Sequence, residues 1–239
     1  MKILVIGGYG FIGSHVTLKL NDLGYEAIAV SRRNDTDLFS LDSIKNCLNK
    51  HQPKIIINCA ANVGSVNYVS EFSADVISSN IQMAINLYKS VGNNCPQTKI
   101  INPLSNCSYP GESDYQKESD WLIGDVHDSV FSYGNAKRII YLIAKCYQKQ
   151  FGVISSNFLI PNTFGPGDSL DPNKTHALNG MIVRMINAKI AELKDIKVDN
   201  NINLNVNKIL NNVILKKDDL QNKIYFKNLL NEAIKSYAG

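Results

Sequence analysis

The chain has 239 residues and a formal net charge of +4, with 44% hydrophobic and 19% charged residues. This length suits one large α/β domain, or one domain with a small appendage, that buries a substantial core. The composition excludes a basic nucleic-acid-binding surface and a membrane span of roughly 20 apolar residues. The five scattered cysteines form no metal-binding pattern, and without an export signal they predict a cytoplasmic protein with reduced thiols.

Short apolar runs alternate with helical patterns along the first two thirds of the chain. The predicted strands are Lys2–Gly7, Glu26–Ser31, Lys54–Asn58, Lys99–Asn102 and Val153–Pro161. The predicted helices are Phe11–Leu23, Leu41–Lys50, Ser73–Val91 and Tyr133–Phe151. The strands are almost continuously apolar, as in a parallel sheet that is covered on both faces. The pattern predicts an α/β fold, namely a Rossmann-like doubly wound parallel sheet with right-handed crossovers.

Two loops and a polar tail complete the predicted organisation. Residues 103–132 and 161–175 are loop-like and follow strands, so both are expected at the carboxyl edge of the sheet, where ligands bind. Asparagine becomes frequent towards the end of the chain, and residues 218–237 have the pattern of a closing helix. We therefore expect a dinucleotide-binding core over residues 1–160. A small, truncated substrate-binding appendage would follow over residues 161–239.

The first predicted strand runs directly into a glycine motif, Gly7-Gly8-Tyr9-Gly10-Phe11-Ile12-Gly13. Gly7, Gly10 and Gly13 would let the backbone turn tightly, approach a pyrophosphate and pack the first helix on the sheet. The amides of Phe11 and Ile12 open that helix, whose N-terminus attracts phosphate. A glycine-rich turn without a ligand is the alternative. The position of the motif between a strand and a helix favours dinucleotide binding.

Two arginines, Arg32 and Arg33, follow the second predicted strand. An acidic residue at this point would bind the ribose 2′-hydroxyl of NAD, whereas guanidinium groups suit the 2′-phosphate of NADP. The alternative is a pair of solvated arginines in a loop. The sequence thus favours NADP(H) over NAD(H) as cofactor.

Tyr133 and Lys137 are one helical turn apart, so their side chains share a face. An adjacent ammonium is expected to lower the pKa of the Tyr133 phenol, which could then exchange a proton with a substrate oxygen while a hydride moves. Ser105, which follows the fourth predicted strand in the sequence, would hold the same oxygen by a hydrogen bond. A Tyr and a Lys at this spacing occur by chance in many helices. The upstream glycine motif is what makes nicotinamide-dependent chemistry on a carbonyl or sugar hydroxyl the favoured interpretation.

The order of these motifs resembles the extended short-chain dehydrogenase/reductases, the NAD-dependent epimerase/dehydratase family, which act on nucleotide sugars. Within this family the chain looks most like the branch that epimerises and reduces GDP-linked 4-keto-6-deoxy sugars. The similarity covers roughly residues 1–190. It rests on Ala60-Ala61-Asn62-Val63-Gly64, Ser105-Asn106-Cys107-Ser108-Tyr109-Pro110, Asn162-Thr163-Phe164-Gly165-Pro166, and Asp168 with the downstream His176.

The resemblance implies roles that spacing alone does not. Cys107 would be the base that removes a sugar proton acidified by the neighbouring carbonyl, His176 the acid that returns one, and Tyr133 the donor to the C4 oxygen. Further implied contacts are Ala60, Ala61 and Pro161 with the cofactor, and Asn162, His176 and Arg184 with the substrate. The resemblance also implies a GDP-linked nucleotide sugar as partner, and a homodimer formed through the helix that carries Tyr133 and the helix before it. The alternative is that the apolar residues of the Tyr133 helix only cover the sheet.

Three alternatives remain open at this point. The chain could be a 4-reductase that lacks epimerisation, a 4-epimerase of another nucleotide sugar, or a catalytically silent cofactor-binding partner protein. A 4-epimerase holds NAD throughout turnover, which Arg32 and Arg33 disfavour. The Asn-rich tail contains neither the Trp-Gly-x-Gly nor the Arg-Glu-Phe segment usual in the family. This difference keeps the silent alternative open.

Overall fold

The computed structural model describes residues 1–34, 36–112, 115–169, 171, 174–176 and 180–181. The chain divides into two compact units, Met1–Thr163 and Phe164–Gly239. Within the described residues, five strands and five α-helices belong to the first unit. The predicted closing helix and Arg184 lie outside the described residues.

Five parallel strands form one sheet in the order β2-β1-β3-β4-β5. They are β1 (Lys2–Ile6), β2 (Glu26–Val30), β3 (Ile55–Asn58), β4 (Lys99–Ser105) and β5 (Ser155–Ile160). The chain moves outward from β1 to β2 and then returns past β1 to β3. This reversal of strand order is the switch point of a doubly wound sheet, beside which such folds bind ligands. The predicted Rossmann-like α/β class is confirmed.

The helices are α1 (Phe11–Asp22), α2 (Leu41–His51), α3 (Val66–Glu71), α4 (Ser73–Asn94) and α5 (Phe131–Phe151). Local signals explain why four of them were predicted to within a few residues. The Ser40 side chain accepts a hydrogen bond from the Ser43 amide at the start of α2, and α5 ends at Gly152 with a φ of +73°. α3 was not predicted from the sequence, because six residues are too few to show a helical period. None of the described helices is long and apolar enough to cross a membrane.

The strand side chains alternate between two hydrophobic clusters. Leu4 and Ile6 of β1 pack with side chains of α2, α4 and α5 on one face of the sheet, while Ile3 and Val5 contact α1 on the other. All four are at most 3% exposed. The continuous apolar run in β1 therefore reflects a strand that is covered on both faces.

The segment predicted as a loop over residues 103–132 is only partly irregular. β4 continues through Pro103 to Ser105, and β3 pairs with β4 only as far as Ile101. Pro103 therefore lacks a strand neighbour on that side, where its missing N–H breaks no ladder. In the described part of this segment, three 3₁₀ turns follow β4, and an isolated antiparallel bridge joins Pro110 to Val126. The segment folds back on itself beyond the end of β4.

Candidate active site

The carboxyl ends of the five parallel strands share one edge of the sheet, and the predicted site residues follow them. This placement is seen for Gly7 after β1, Arg32 and Arg33 after β2, Ala60 and Ala61 after β3, Ser105 and Cys107 at the end of β4, and Pro161 and Asn162 after β5.

The turn between β1 and α1 exposes its backbone. Gly7 has a φ of +73°, and a Cβ there would lie 2.7 Å from the Ala60 nitrogen. A Cβ on Gly13 would collide with the Gly7 carbonyl. The N-cap of α1 is Gly10, which has no side chain to cap the amides of the first turn. The amides in the first turn of α1 therefore have no side-chain cap, and N–H groups of this kind can bind a pyrophosphate.

Arg32 and Arg33 lie in a 3₁₀ turn directly after β2, and both side chains are exposed. The hydroxyl of the preceding Ser31 is buried and has no hydrogen-bond partner among the residues that the structure describes. Two cations and an unsatisfied hydroxyl fit a phosphate group at this position. Together with the glycine turn, these residues fit a dinucleotide that carries a 2′-phosphate.

Tyr133 and Lys137 are brought together on α5, with Lys137 Nζ 5.3 Å from the centre of the Tyr133 ring. The Lys137 ammonium donates a hydrogen bond of 3.2 Å to the Pro103 carbonyl. Burial lowers the pKa of Lys137 to about 8. The expected lowering of the Tyr133 pKa is wrong for this structure, because burial raises it and the nearby Cys107 raises it further. Tyr133 is therefore a protonated phenol at neutral pH.

Cys107 lies in the 3₁₀ turn Asn106–Ser108, which we call the Cys107 turn, and its backbone lies against both Ser105 and α5. Its N–H donates to the Ser105 hydroxyl at 3.2 Å, which leaves the hydroxyl proton of Ser105 able to reach a ligand oxygen. Its carbonyl faces Gly134, where a Cβ would come within 2.5 Å of the oxygen. Since Gly134 follows Tyr133 directly, the absence of a side chain lets the Cys107 turn approach the phenol. The structure thus groups Ser105, Cys107, Tyr133 and Lys137.

Two side chains that the sequence analysis missed hold the Cys107 turn. Arg138 Nε donates to the Ser108 carbonyl at 2.7 Å, and its Nη1 donates to a second backbone carbonyl. The indole of Trp121, which is 6% exposed, donates to the Ser108 hydroxyl at 2.7 Å. The signals were present, since Trp121 is the only tryptophan and Arg138 follows the predicted lysine. Neither signal indicates what the side chain contacts.

In the second unit, the described residues place His176 beside Asp168. His176 Nδ1 lies 3.0 and 3.2 Å from the two oxygens of the Asp168 carboxylate. The Asp168 side chain is 2% exposed, whereas that of His176 is 39% exposed. The hydrogen bond to Asp168 raises the pKa of His176, and partial burial opposes this effect. Sequence reasoning gave Asp168 no role.

The first unit combines a hydroxyl, a protonated phenol and a buried ammonium beside a turn that fits a dinucleotide. Such groups can hold a carbonyl oxygen and give it a proton as a hydride reaches the carbon. Within the described residues, no group of three or more His, Cys, Asp or Glu side chains could hold a metal ion.

Comparison with known proteins gives a consistent family match. The sequence profile of the NAD dependent epimerase/dehydratase family matches residues 3–202. A probable GDP-L-fucose synthase of Drosophila melanogaster is 27% identical over 188 residues, which cover 77% of this chain and 58% of that protein. The GDP-L-fucose synthase of Sinorhizobium fredii is 28% identical over 193 residues, which cover 80% of this chain and 61% of that protein. The chain thus matches about three fifths of the length of these relatives.

Solved structures show the same fold. A GDP-L-fucose synthetase from Naegleria fowleri bound to NADP has a TM-score of 0.71 at 24% identity, covering 82% of this chain and 65% of that chain. A GDP-D-glycero-L-gluco-heptose synthase from Campylobacter jejuni, crystallised in the presence of NADPH, has a TM-score of 0.71 at 21% identity, covering 98% of this chain and 64% of that chain. At these identities the likeness establishes the fold.

Proposed function

The chain belongs to the NAD dependent epimerase/dehydratase family, and on that basis we propose that it is an NADP(H)-dependent enzyme that epimerises and reduces a GDP-linked 4-keto-6-deoxy sugar. The observation that carries the proposal is the grouping of Ser105, Cys107 and Tyr133 around the Cys107–Gly134 contact at the carboxyl edge of the sheet. The relatives named GDP-L-fucose synthase support the substrate class.

The cofactor would lie along the edge from β1 to β2. Gly7, Gly10 and Gly13 would hold the pyrophosphate, and Arg32 and Arg33 the 2′-phosphate. The NADP-bound relative from Naegleria fowleri supports this choice. When bound, NADPH supplies the hydride that reduces the C4 carbonyl. The remaining proposed contacts are Ala60, Ala61 and Pro161 with the cofactor, and Asn162 and Arg184 with the substrate.

The chain's own residues would move the protons. A 4-keto group acidifies the protons on C3 and C5, so a base and an acid can invert these carbons. Cys107 would take such a proton and His176 would return one. The raised pKa of Tyr133 suits a phenol that stays protonated until the C4 oxygen becomes basic. Lys137 would then stabilise the tyrosinate, and Ser105 would hold the same oxygen by a hydrogen bond.

The test is turnover of GDP-4-keto-6-deoxymannose, with NADPH oxidation followed by absorbance and the product analysed by NMR. We expect oxidation of NADPH and a product that is inverted at C3 and C5. Cys107→Ser should give reduction without inversion, whereas the exposed Cys146→Ser should behave as wild type. Inversion-free reduction by the wild type would instead indicate a 4-reductase. Failure with a whole panel of 4-keto nucleotide sugars would indicate a silent cofactor-binding protein.

The homodimer and the cytoplasmic location remain predictions that rest on the resemblance and on the sequence. Light scattering of the purified protein measures the first, and fractionation of the source cells measures the second.

A further inference from the structure

Asp168 is a carboxylate that is 2% exposed and has both oxygens within 3.2 Å of one ring nitrogen, Nδ1 of His176. An ionised carboxylate only accepts hydrogen bonds, so Nδ1 must be the donor. When the ring is neutral, its single proton therefore lies on Nδ1 and Nε2 carries the lone pair. The pairing selects one tautomer of His176.

The charged and polar groups near the His176 ring also identify Asp168 as its main partner. The hydrogen bond from His176 to Asp168 is the largest effect on the His176 pKa and raises it, the charge of Asp168 adds to this, and partial burial opposes it. The next carboxylate in the segment, Asp171, is paired with Lys174 at 3.7 Å. The Thr175 hydroxyl donates to the His176 backbone carbonyl rather than to the ring. Among the described residues, Asp168 is therefore the charged group with the largest effect on the pKa of the ring.

We propose that Asp168 is a positioning residue, which holds His176 through Nδ1 and so makes Nε2 the atom that passes a proton to the sugar carbon. This inference deepens the proposed function and rests on the assignment of His176 as the acid. A 180° turn of the ring about its Cβ–Cγ bond would take Nδ1 away from the carboxylate and move Nε2 from its position, and the hydrogen bond to Asp168 opposes this turn. The same contact raises the pKa of His176, which favours the protonated ring that a general acid requires.

The proton balance is simple. The Nε2–H bond of the imidazolium breaks and a C–H bond forms on the enolate carbon, which leaves a neutral ring with its remaining proton on Nδ1. That neutral ring is the tautomer that Asp168 stabilises. Nε2 then regains a proton from water, and Cys107 releases to water the proton that it took from the sugar.

Nitrogen NMR of protein labelled with ¹⁵N-histidine tests the pairing without any substrate. We expect the neutral His176 ring of the wild type to be protonated on Nδ1, and its pKa to lie above the ordinary value of about 6.5. Asp168→Asn keeps an acceptor oxygen but removes the charge, so it should lower that pKa by roughly half a unit or more. The matched control Asp171→Asn should change it by less than about 0.2 units.

Two results would overturn the inference. One is a neutral His176 ring protonated on Nε2 in the wild type, a measurement that needs no variant. The other is an unchanged His176 pKa in Asp168→Asn. The resonances of His15, His51 and His127 serve as references for folding in each variant.

A second readout links the pairing to the reaction. The rate at which the sugar exchanges its C3 and C5 protons with solvent should fall at high pH as His176 loses its proton. In Asp168→Asn this fall should move to lower pH by the change in pKa seen by NMR. An unmoved profile overturns the inference. Absence of exchange by the wild type contradicts the proposed function instead, while the NMR titration still decides the pairing.

Discussion

Lys137 holds an ammonium in a position where only 5% of the residue remains exposed. Burial lowers its pKa from 10.5 to about 8, so the unfolded chain binds this proton more tightly than the folded protein does. The free energy of unfolding should therefore rise with pH above about 8, as the folded state gives up a charge that is unfavourable to bury. The buried ammonium of Lys137 therefore lowers the free energy of unfolding near pH 7.

Lys137→Met removes this dependence. Between pH 7 and 9.5 the free energy of unfolding of the wild type should gain about 2 kcal/mol relative to the variant, since the lysine deprotonates only in the folded state. Urea unfolding at the two pH values measures this difference. The exposed Lys149→Met on the same helix is the control and should show no such change. A Lys137→Met difference that stays constant with pH contradicts the assigned burial of the charge.

Arg32 and Arg33 are the exposed cations that follow β2. Replacing both with alanine should weaken NADPH binding by roughly 10- to 100-fold and leave NADH binding nearly unchanged, because only NADPH carries the 2′-phosphate. Isothermal titration calorimetry with each cofactor measures both affinities, and the exposed Lys45→Ala is the matched control. Equal losses of affinity for NADPH and NADH would mean that the two arginines do not bind the 2′-phosphate.

At the scale of elements, α5 meets the turn after β4 through the bare backbone of Gly134. Gly134→Ala places a Cβ about 2.5 Å from the Cys107 carbonyl, so the turn must shift by several tenths of an ångström. We expect exchange of the C3 and C5 protons to slow about tenfold or more, while the affinity for NADPH stays constant. NMR of the sugar in D₂O and calorimetry with NADPH measure the two effects.

Asn135→Ala, at the half-buried position that follows Gly134 on α5, is the matched control for Gly134→Ala and should leave both quantities unchanged. An unchanged exchange rate in Gly134→Ala would show that the close approach is not needed. A parallel loss of NADPH binding would show a general disruption of the site rather than a displaced Cys107.

Elements that carry local signals could be predicted, and elements defined by long-range contacts could not. The period of apolar residues predicts α1, α2, α4 and α5 from sequence alone. The turn that carries Cys107 is fixed instead by Trp121 and Arg138, which bind Ser108 across 13 and 30 positions of sequence. Such partners leave no periodic pattern. The sequence motif identified Cys107, but the side chains that hold its turn could be identified only from the structure.

At the scale of the whole molecule, strand-helix alternation was sufficient to predict the doubly wound sheet, because parallel strands need right-handed crossovers that cover both faces. The same rule placed the candidate residues at one edge of the sheet before any contact was known. The pairing of Asp168 with His176 could not be predicted, since the two lie eight positions apart and the residues described between them are neither helix nor strand. The direction of the Tyr133 pKa shift also could not be predicted, because it depends on burial, which a sequence motif does not show.

Solvent deuterium incorporation tests the account most directly, because it detects proton removal before any reduction. Wild-type protein in D₂O, given GDP-4-keto-6-deoxymannose without NADPH, should introduce deuterium at C3 and C5, and NADPH added afterwards should reduce C4 of the labelled sugar. Cys107→Ser should introduce none beyond an enzyme-free control. Wild-type protein that incorporates no deuterium, or Cys107→Ser that incorporates it at the wild-type rate, would contradict the proposed epimerisation.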